Sequence, residues 1–368
     1  MKITIIFNNR LPTERAHGLQ IVKTCEAFAH AGIETKLIIP DVLNKIQEDI
    51  FQYYQVGKVF SVRKIKCWGK SYRIKYASFL INLLFSRVKK NEIIFTRHPE
   101  IAFLFSQFGY KVIFELHNWR PDKKKRNVFF LKKVFLIIAT TKIIKQEFVK
   151  NGFDERKIMV APNGVELEDF NLKTSKEEAR NLLDLPLDKE IILYSGHLYK
   201  QKGVYTIVET AKMLSEKYFV FIGGLPNDVE NLKQAAEGLK NIEIRGPKKY
   251  KEVPRYLKAA DMLVIANSGN DETERNFTSP LKLFEYLAAE KVIIASRVPA
   301  IEEFLDETTA VFFEPDSAQS LAKAIEEVSG NQAKRENLEK KSFELARKYT
   351  WQERTKKIIN VIKKDGKI

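Results

Sequence analysis

Asn276-Phe-Thr-Ser-Pro-Leu-Lys-Leu-Phe-Glu-Tyr-Leu-Ala-Ala289 decides the reading of this chain. Before it stand Met262-Leu-Val-Ile-Ala266, an apolar run of strand length, and a polar loop. After it stands a second such run, Val292-Ile-Ile-Ala-Ser296. Strand, polar loop, proline and helix make a βα unit whose loop sits at the strand's carboxyl end, where open parallel sheets bind ligands. Pro280 suits a first helical turn, because its missing N–H would find no partner there. The amides of Leu281 and Lys282 then face the crevice, and a helix N-terminus favours an anion such as a diphosphate. Glu285 lies one turn deeper, where a carboxylate can accept hydrogen bonds from sugar hydroxyls.

Outward from this unit, strand-like and helical runs alternate throughout. Towards the N-terminus the strand-like runs are Lys2–Asn8, Thr35–Ile39, Glu92–Thr96, Lys111–Glu115, Val134–Thr140 and Ile158–Ala161. The alternation restarts with Ile191–Ser195, Tyr218–Gly223 and Ile242–Arg245, and ends with Ala310–Glu314. Short apolar strands between helices read as parallel strands covered on both faces. A boundary falls between Asn163-Gly164, a turn signal, and Asp184. Within it, Ser175-Lys-Glu-Glu178 has the spacing of a helix capping box. The fold class is α/β, with two Rossmann-like domains, and a cleft between such domains is the usual place for a small-molecule site.

At 368 residues the chain exceeds one ordinary core. Its two cysteines, Cys25 and Cys67, have neither metal nor redox spacing, which suits a reducing, cytoplasmic compartment. The opening Met1–Asn8 reads as a strand rather than a leader, and no window is apolar enough to span a membrane. The 63 Lys and Arg outnumber the 47 Asp and Glu, a net charge of +16. The excess gathers in residues 58–91, alongside Phe60, Trp68, Tyr72, Tyr76, Phe79 and Phe85, and again in residues 123–133. Cations interleaved with aromatics make an anionic membrane surface a candidate partner, against the plainer reading of a solvated basic face. No reader motif accompanies the charge, so nucleic acid is not expected. No His/Cys cluster, Walker sequence or Gly-x-Gly-x-x-Gly occurs, which argues against metal-dependent, kinase and dehydrogenase chemistry.

Five further loops carry polar residues at strand ends. Tyr194-Ser-Gly-His-Leu-Tyr-Lys-Gln-Lys-Gly203 holds Lys202, a compact cation suited to a diphosphate, and Gly203, which allows positive φ. His17-Gly18-Leu19 opens the first helix, and Glu115-Leu-His117-Asn118 ends a strand. Ile244-Arg-Gly-Pro-Lys248 ends another. Thr96-Arg-His-Pro99 reads as mostly structural, with Pro99 starting a helix. Taken one at a time, the glycines read as ordinary turn residues and the lysines as a basic surface.

Together these motifs resemble the family 4 glycosyltransferases, retaining enzymes of the GT-B fold, of the bacterial surface-polysaccharide type. The resemblance implies a nucleoside-diphosphate sugar donor, UDP-linked first and GDP-linked second, and a glycan or lipid-linked acceptor. It implies that Glu285 holds the donor ribose, and that the turn Thr278-Ser279-Pro280 with the amides of Leu281 and Lys282 holds the diphosphate. Lys202 and His197 would grip the leaving phosphates, with Lys202, His117 and Glu285 serving catalysis. Gly18 would border diphosphate and acceptor, and Gly246 and Pro247 would lie by the base. Two positions depart from the family pattern: Phe277 stands where a second glutamate is usual, with Glu274 or Asp271 as substitutes, and His197 stands where an arginine is usual. The implied architecture is an acceptor domain over residues 1–165, a donor domain over 166–349, and a terminal helix over 350–368 crossing back to the first. No cofactor or metal is expected. The other readings of these residues are a GT-B nucleotide-sugar epimerase and a noncatalytic scaffold.

Overall fold

Runs such as Ile93-Ile-Phe-Thr96 and Ile191-Ile-Leu-Tyr-Ser195 have no polar face to give to water, so they settle as parallel strands under helices on both sides. The computed structural model describes residues 1–86 and 88–366. Arg87, within the basic stretch 58–91, and Lys367 and Ile368, within the tail 350–368, lie outside the described residues. The chain divides into two units: Met1–Pro162 with the tail from Trp351, and Asn163–Thr350.

In unit one the strands are β1 (Lys2–Ile6), β2 (Glu34–Asp41), β3 (Ser61–Lys66), β4 (Ile93–Thr96), β5 (Val112–Leu116), β6 (Leu136–Ala139) and β7 (Ile158–Val160). They form one parallel sheet in the order β3-β2-β1-β4-β5-β6-β7. Unit two contributes β8 (Ile191–Ser195), β9 (Tyr218–Ile222), β10 (Ile242–Ile244), β11 (Met262–Ile265), β12 (Val292–Ser296) and β13 (Val311–Phe313). Their order is β10-β9-β8-β11-β12-β13, again parallel. Both sheets reverse their winding beside the first strand of the unit, between β1 and β4 and between β8 and β11. In such sheets the connections part at that point and leave a crevice at the strands' carboxyl ends.

Alternate residues of each strand in unit two feed opposite faces. Leu193, Leu263 and Ile293 meet Leu283 and Leu287 of the helix Leu281–Ala288 on one face. Ile192, Val264 and Ile294 meet Val204, Val208, Leu321 and Ile325 on the other. Ser175 caps the helix Lys176–Leu182: its hydroxyl accepts from the Glu178 amide, and the Glu178 carboxylate accepts from the Ser175 amide.

Two local expectations are corrected. The stretch 58–91, read from sequence only as basic and aromatic, contains β3 and the helix Tyr72–Leu84. Ser61-Val-Arg-Lys-Ile-Lys66 is an edge strand that buries only Ile65, so it lacks the apolar run that marks an inner strand. Pro280 does not occupy the first turn. Its backbone is extended, at φ −72° and ψ 135°, and it stands just before the helix as its N-cap.

The terminal helix Trp351–Gly366 belongs to unit one and lies against the helix Ala16–His30. Arg354 anchors it. Its Nε donates to the Pro162 carbonyl at 2.8 Å, and its Nη2 pairs with the buried Glu115 carboxylate at the end of β5. Arg354→Ala is expected to cost about 3 kcal/mol, because it leaves a buried carboxylate short of a cation. A smaller loss of less than about 1 kcal/mol in guanidinium unfolding would show that Arg97 alone suffices for Glu115.

Candidate functional site

In unit two the reversal point gathers the loops after β8 and β11. After β8 the chain turns at Gly196, passes through a short 3-10 turn at Lys200–Lys202 and enters the helix Val204–Met213 through Gly203. Gly203 has φ +68°, and a Cβ there would lie 1.7 Å from the Ala266 carbonyl oxygen, so only glycine fits. After β11 the loop carries Asn267 and a π-helical turn, Thr273–Phe277, whose amide at Arg275 bonds the Asp271 carbonyl. π-Turns of this kind are frequent at functional sites. The helix Leu281–Ala288 then begins, and its Tyr286 hydroxyl accepts from the Ser195 amide at 2.8 Å. That bond ties the Glu285 helix to the end of β8.

The two loops meet through a charge pair. Lys202 Nζ lies 2.6 Å from Glu274 Oε2, which also accepts from Asn267 Nδ2 at 2.8 Å. Of the two carboxylates considered as substitutes at the Phe277 position, Glu274 is the one that meets Lys202. Asp271 instead caps the π-turn through the Glu274 amide, at 2.9 Å, and Phe277 itself is buried. Lys282 is buried, with its Nζ 3.6 Å from the Tyr194 ring centroid. Asn163 Nδ2 donates to the Ser279 carbonyl at 2.7 Å. Among the described residues, Lys282 Nζ, Ser279 Oγ, Asn163 Oδ1 and Asn267 Oδ1 are buried polar atoms without a hydrogen-bond partner. Such atoms are rare in folded proteins, and a ligand able to complete their bonding is one explanation for them.

Glu285 is buried, and burial pushes its carboxyl up to about 7, with Lys282 pulling it down and Asp169 pushing it up. His197 stacks on Tyr199 with ring centroids 4.8 Å apart, and its carbonyl accepts from the Tyr194 hydroxyl at 2.6 Å. Gly246 is buried, and its carbonyl accepts from the Gly223 amide at 2.7 Å, while Pro247 is exposed beside it. Thr278 is half-buried and Ser279 buried, in the extended link before Pro280.

Unit one has its own polar cluster beside its reversal point. Glu115 is fully buried and pairs with Arg97 Nη2 at 2.6 Å, with Arg354 and with His117 Nε2. Burial alone would raise the Glu115 carboxyl, but Arg354 and Arg97 outweigh it and hold it well below the carboxylate range. Burial, then Arg97, lowers His117 to about 4, so the imidazole is neutral at neutral pH and donates Nε2–H to Glu115. A neutral His117 can bond a sugar hydroxyl but does not supply positive charge. Burial likewise lowers His98 to about 4, and its Nε2 accepts from the Asn8 amide at 3.0 Å. Burial and Arg97 lower His17 to about 4. Gly18 is required by internal fit: a Cβ there would lie 2.1 Å from the Tyr54 hydroxyl. The cluster of Arg97, Glu115 and Arg354 was not legible as a site, since Arg354 joins it from the far end of the chain. Within unit one a cavity of about 430 Å³ is lined by Asn8, Arg15, His17, Tyr72, Lys75 and Tyr76, among others.

Among the described residues, no group of three or more His, Cys, Asp or Glu is placed to hold a metal ion. No helix there is long and apolar enough to cross a membrane.

Residues 175–345 match the family described as Glycosyl transferases group 1, and residues 18–169 match Glycosyltransferase Family 4. The chain belongs to the family 4 glycosyltransferases of GT-B type. It is 29% identical over 193 residues to a Bacillus subtilis protein named as a teichuronic acid biosynthesis glycosyltransferase, TuaC. That match covers 52% of this chain and 46% of TuaC, so the chain spans about half the length of that relative. It is 21% identical over 335 residues to the lipopolysaccharide 1,2-N-acetylglucosaminetransferase of Salmonella typhimurium, covering 84% of this chain and 82% of that one. The fold matches that of Anabaena HepE, crystallised with UDP and glucose, at a TM-score of 0.80 and 12% identity over 98% of this chain and 99% of that one.

The raised Glu285 carboxyl has a consequence for stability. The buried neutral acid stabilises the fold fully below the unfolded value of about 4.5, and this is lost as pH rises through about 7. Glu285→Gln stays neutral at every pH, so near pH 8 it is expected to be more stable than the parent by about 3 kcal/mol, and near pH 4 to match it. Equal stabilities at both pH values in urea titrations would mean that Glu285 is not buried as an acid.

Proposed function

We propose that this protein is a retaining glycosyltransferase that moves a sugar from a nucleoside-diphosphate sugar, UDP-linked first and GDP-linked second, to a glycan or lipid-linked acceptor in cell-surface polysaccharide synthesis. The observation that carries the reading is the set of unpartnered buried polar atoms at the unit-two reversal point, beside Lys202, the start of the helix Leu281–Ala288 and Glu285. In this reading Glu285 accepts from the ribose hydroxyls, while the amides of Leu281 and Lys282 and the Lys202 ammonium hold the diphosphate. Gly246 and Pro247 border the base. As the glycosidic bond breaks, charge grows on the leaving phosphate, and fixed cations and amide dipoles stabilise it without needing to reorganise. The reaction needs no metal in this scheme. The leaving phosphate takes the acceptor proton and attack occurs on the same face, which retains configuration. Support from relatives comes from the Bacillus and Salmonella proteins, whose names place them in surface polysaccharide synthesis.

The test is a thermal-shift screen of UDP, GDP, ADP and their sugars in the presence of EDTA. A ligand at a hundred times its dissociation constant stabilises the folded state by about 2.7 kcal/mol, so the right nucleotide raises the melting temperature by several degrees. Glu285→Ala is expected to weaken its binding at least tenfold. Unchanged affinity in calorimetry would remove Glu285 from the donor site, and no shift with any nucleotide would sink the reading.

For the acceptor, the unit-one cavity combines the aromatic side chains of Tyr72 and Tyr76, which suit a sugar, with Arg15 and Lys75, which suit an anionic group. Asn8, whose buried Nδ2 has no hydrogen-bond partner, is among the residues lining the same cavity. Around the helix Tyr72–Leu84, Trp68, Tyr72 and Phe85 are 56%, 72% and 78% exposed, and Phe129 is 60% exposed in the second basic stretch. Phe60 and Phe79, by contrast, belong to the core. The exposed aromatics among lysines and arginines favour peripheral docking on the anionic inner leaflet, each nearby cation adding about 1 kcal/mol. The protein is expected to sediment with phosphatidylglycerol vesicles at low salt and to be released by about 0.5 M salt. If it stays in the supernatant at low salt, these segments are a solvated face.

A further inference from the structure

We propose that the side-chain amine of Lys282, and not only its backbone amide, binds the donor diphosphate, and that nucleotide binding draws a proton onto this amine. The inference rests on the donor reading above and adds to it a ligand and a pH dependence.

Lys282 is 8% exposed, and its Nζ has no hydrogen-bond partner. It lies at the start of the eight-residue helix Leu281–Ala288, and its neighbours Leu283, Phe284, Tyr286 and Leu287 are all core residues. A methionine would fill the same space without burying an amine. The amine is directed to the turn after β8: a Cβ built on Gly196 would lie 3.1 Å from both Cε and Nζ of Lys282. Beneath it is the face of the Tyr194 ring, at 3.6 Å. A buried cation–π contact favours the ammonium form by about 2 kcal/mol, but it offers no acceptor to replace the three hydrogen bonds the ammonium makes in water.

The charges facing the amine explain why it is unsatisfied. Lys202 repels it, and Glu274 and Glu285 attract it. Glu274 is already engaged by Lys202 at 2.6 Å and by Asn267 at 2.8 Å. Glu285 is itself partly protonated near neutral pH. Tyr194 donates to the His197 carbonyl and, deep in the core, stays a neutral phenol. The Tyr286 hydroxyl is taken by Ser195. With no free anion at hand, burial and then Lys202 hold the Lys282 amine well below the usual lysine range. A diphosphate at the Gly196 turn supplies the missing charge and the missing acceptors together. The amine then takes a proton from solvent and becomes an ammonium bonded to phosphate oxygen. In this way Lys282 fills the role for which His197, stacked on Tyr199, is poorly suited.

The experiment is calorimetric titration with UDP, or with GDP or ADP if the screen selects one of them, above about pH 8, where the nucleotide phosphates and Glu285 are already ionised. Runs in buffers of different ionisation enthalpy count the protons exchanged. The parent protein is expected to take up a substantial fraction of one proton per nucleotide. Lys282→Met is expected to bind the diphosphate at least tenfold more weakly, with no proton uptake, while the affinity for the bare nucleoside is unchanged. Without nucleotide its melting temperature is expected to equal or exceed the parent's, because it removes an unpaired buried amine. Lys282→Arg, a cation at every pH, is expected to recover affinity without proton uptake. Unchanged affinity or persisting uptake in Lys282→Met would overturn the proposal. So would a lower melting temperature in that variant, which would make the amine a folding group. A parent protein that binds no nucleoside diphosphate at all would instead overturn the donor reading on which the proposal stands.

Discussion

Each unit of this protein depends on one constraint: a parallel sheet wound in both directions must part its connections where the winding reverses. In unit two that place lies between β8 and β11, and in unit one between β1 and β4. Backbone ends there cannot be satisfied by another strand, so loops and helix starts converge on the gap. The Gly196–Gly203 turn comes from one side and the Asn267–Lys282 loop from the other. The bond from the Ser195 amide to the Tyr286 hydroxyl sets their separation. In unit one the same position is taken by His17 and Gly18 on one side and by Arg97 and His98 on the other. The two sites thus share a topological cause and differ in the side chains placed there.

Legibility from sequence followed the physics of burial. Inner strands such as Ile191–Ser195 and Met262–Ile265 are apolar but for the closing Ser195, because both their faces are covered, and their pattern is plain in the sequence. β3 did not, because an edge strand buries one side chain in six and reads as a charged loop. The βα motif around Pro280 was visible because proline, helix and glutamate follow in order over six residues. The exact place of Pro280 was not, since a proline restricts φ alike at a cap and in a first turn. Pairings over long separations were invisible. Arg354 meets Glu115 across 239 positions, and Lys202 meets Glu274 across 72. No periodicity connects such residues, and only the folded sheet brings them together.

Neither charge cluster is fully balanced by the protein's own groups. Around Glu115, one carboxylate faces Arg97 and Arg354, with His117 neutral beside them. The cluster is tightly bound into β4, β5 and the terminal helix, and its energetics favour keeping it intact. Around Lys282 the balance is incomplete. Glu274 is committed to Lys202, and the remaining carboxyl, on Glu285, is half neutral near pH 7. A site meant only to fold would pair its charges or replace them with apolar groups of the same shape. Unit two instead keeps an amine and several polar atoms buried and without hydrogen-bond partners, beside the point where its sheet reverses. The shortfall is one of negative charge and hydrogen-bond acceptors, and a diphosphate supplies both. Protein groups that carried the missing charge permanently would satisfy these atoms without a ligand and weaken the hold on any anion that binds there.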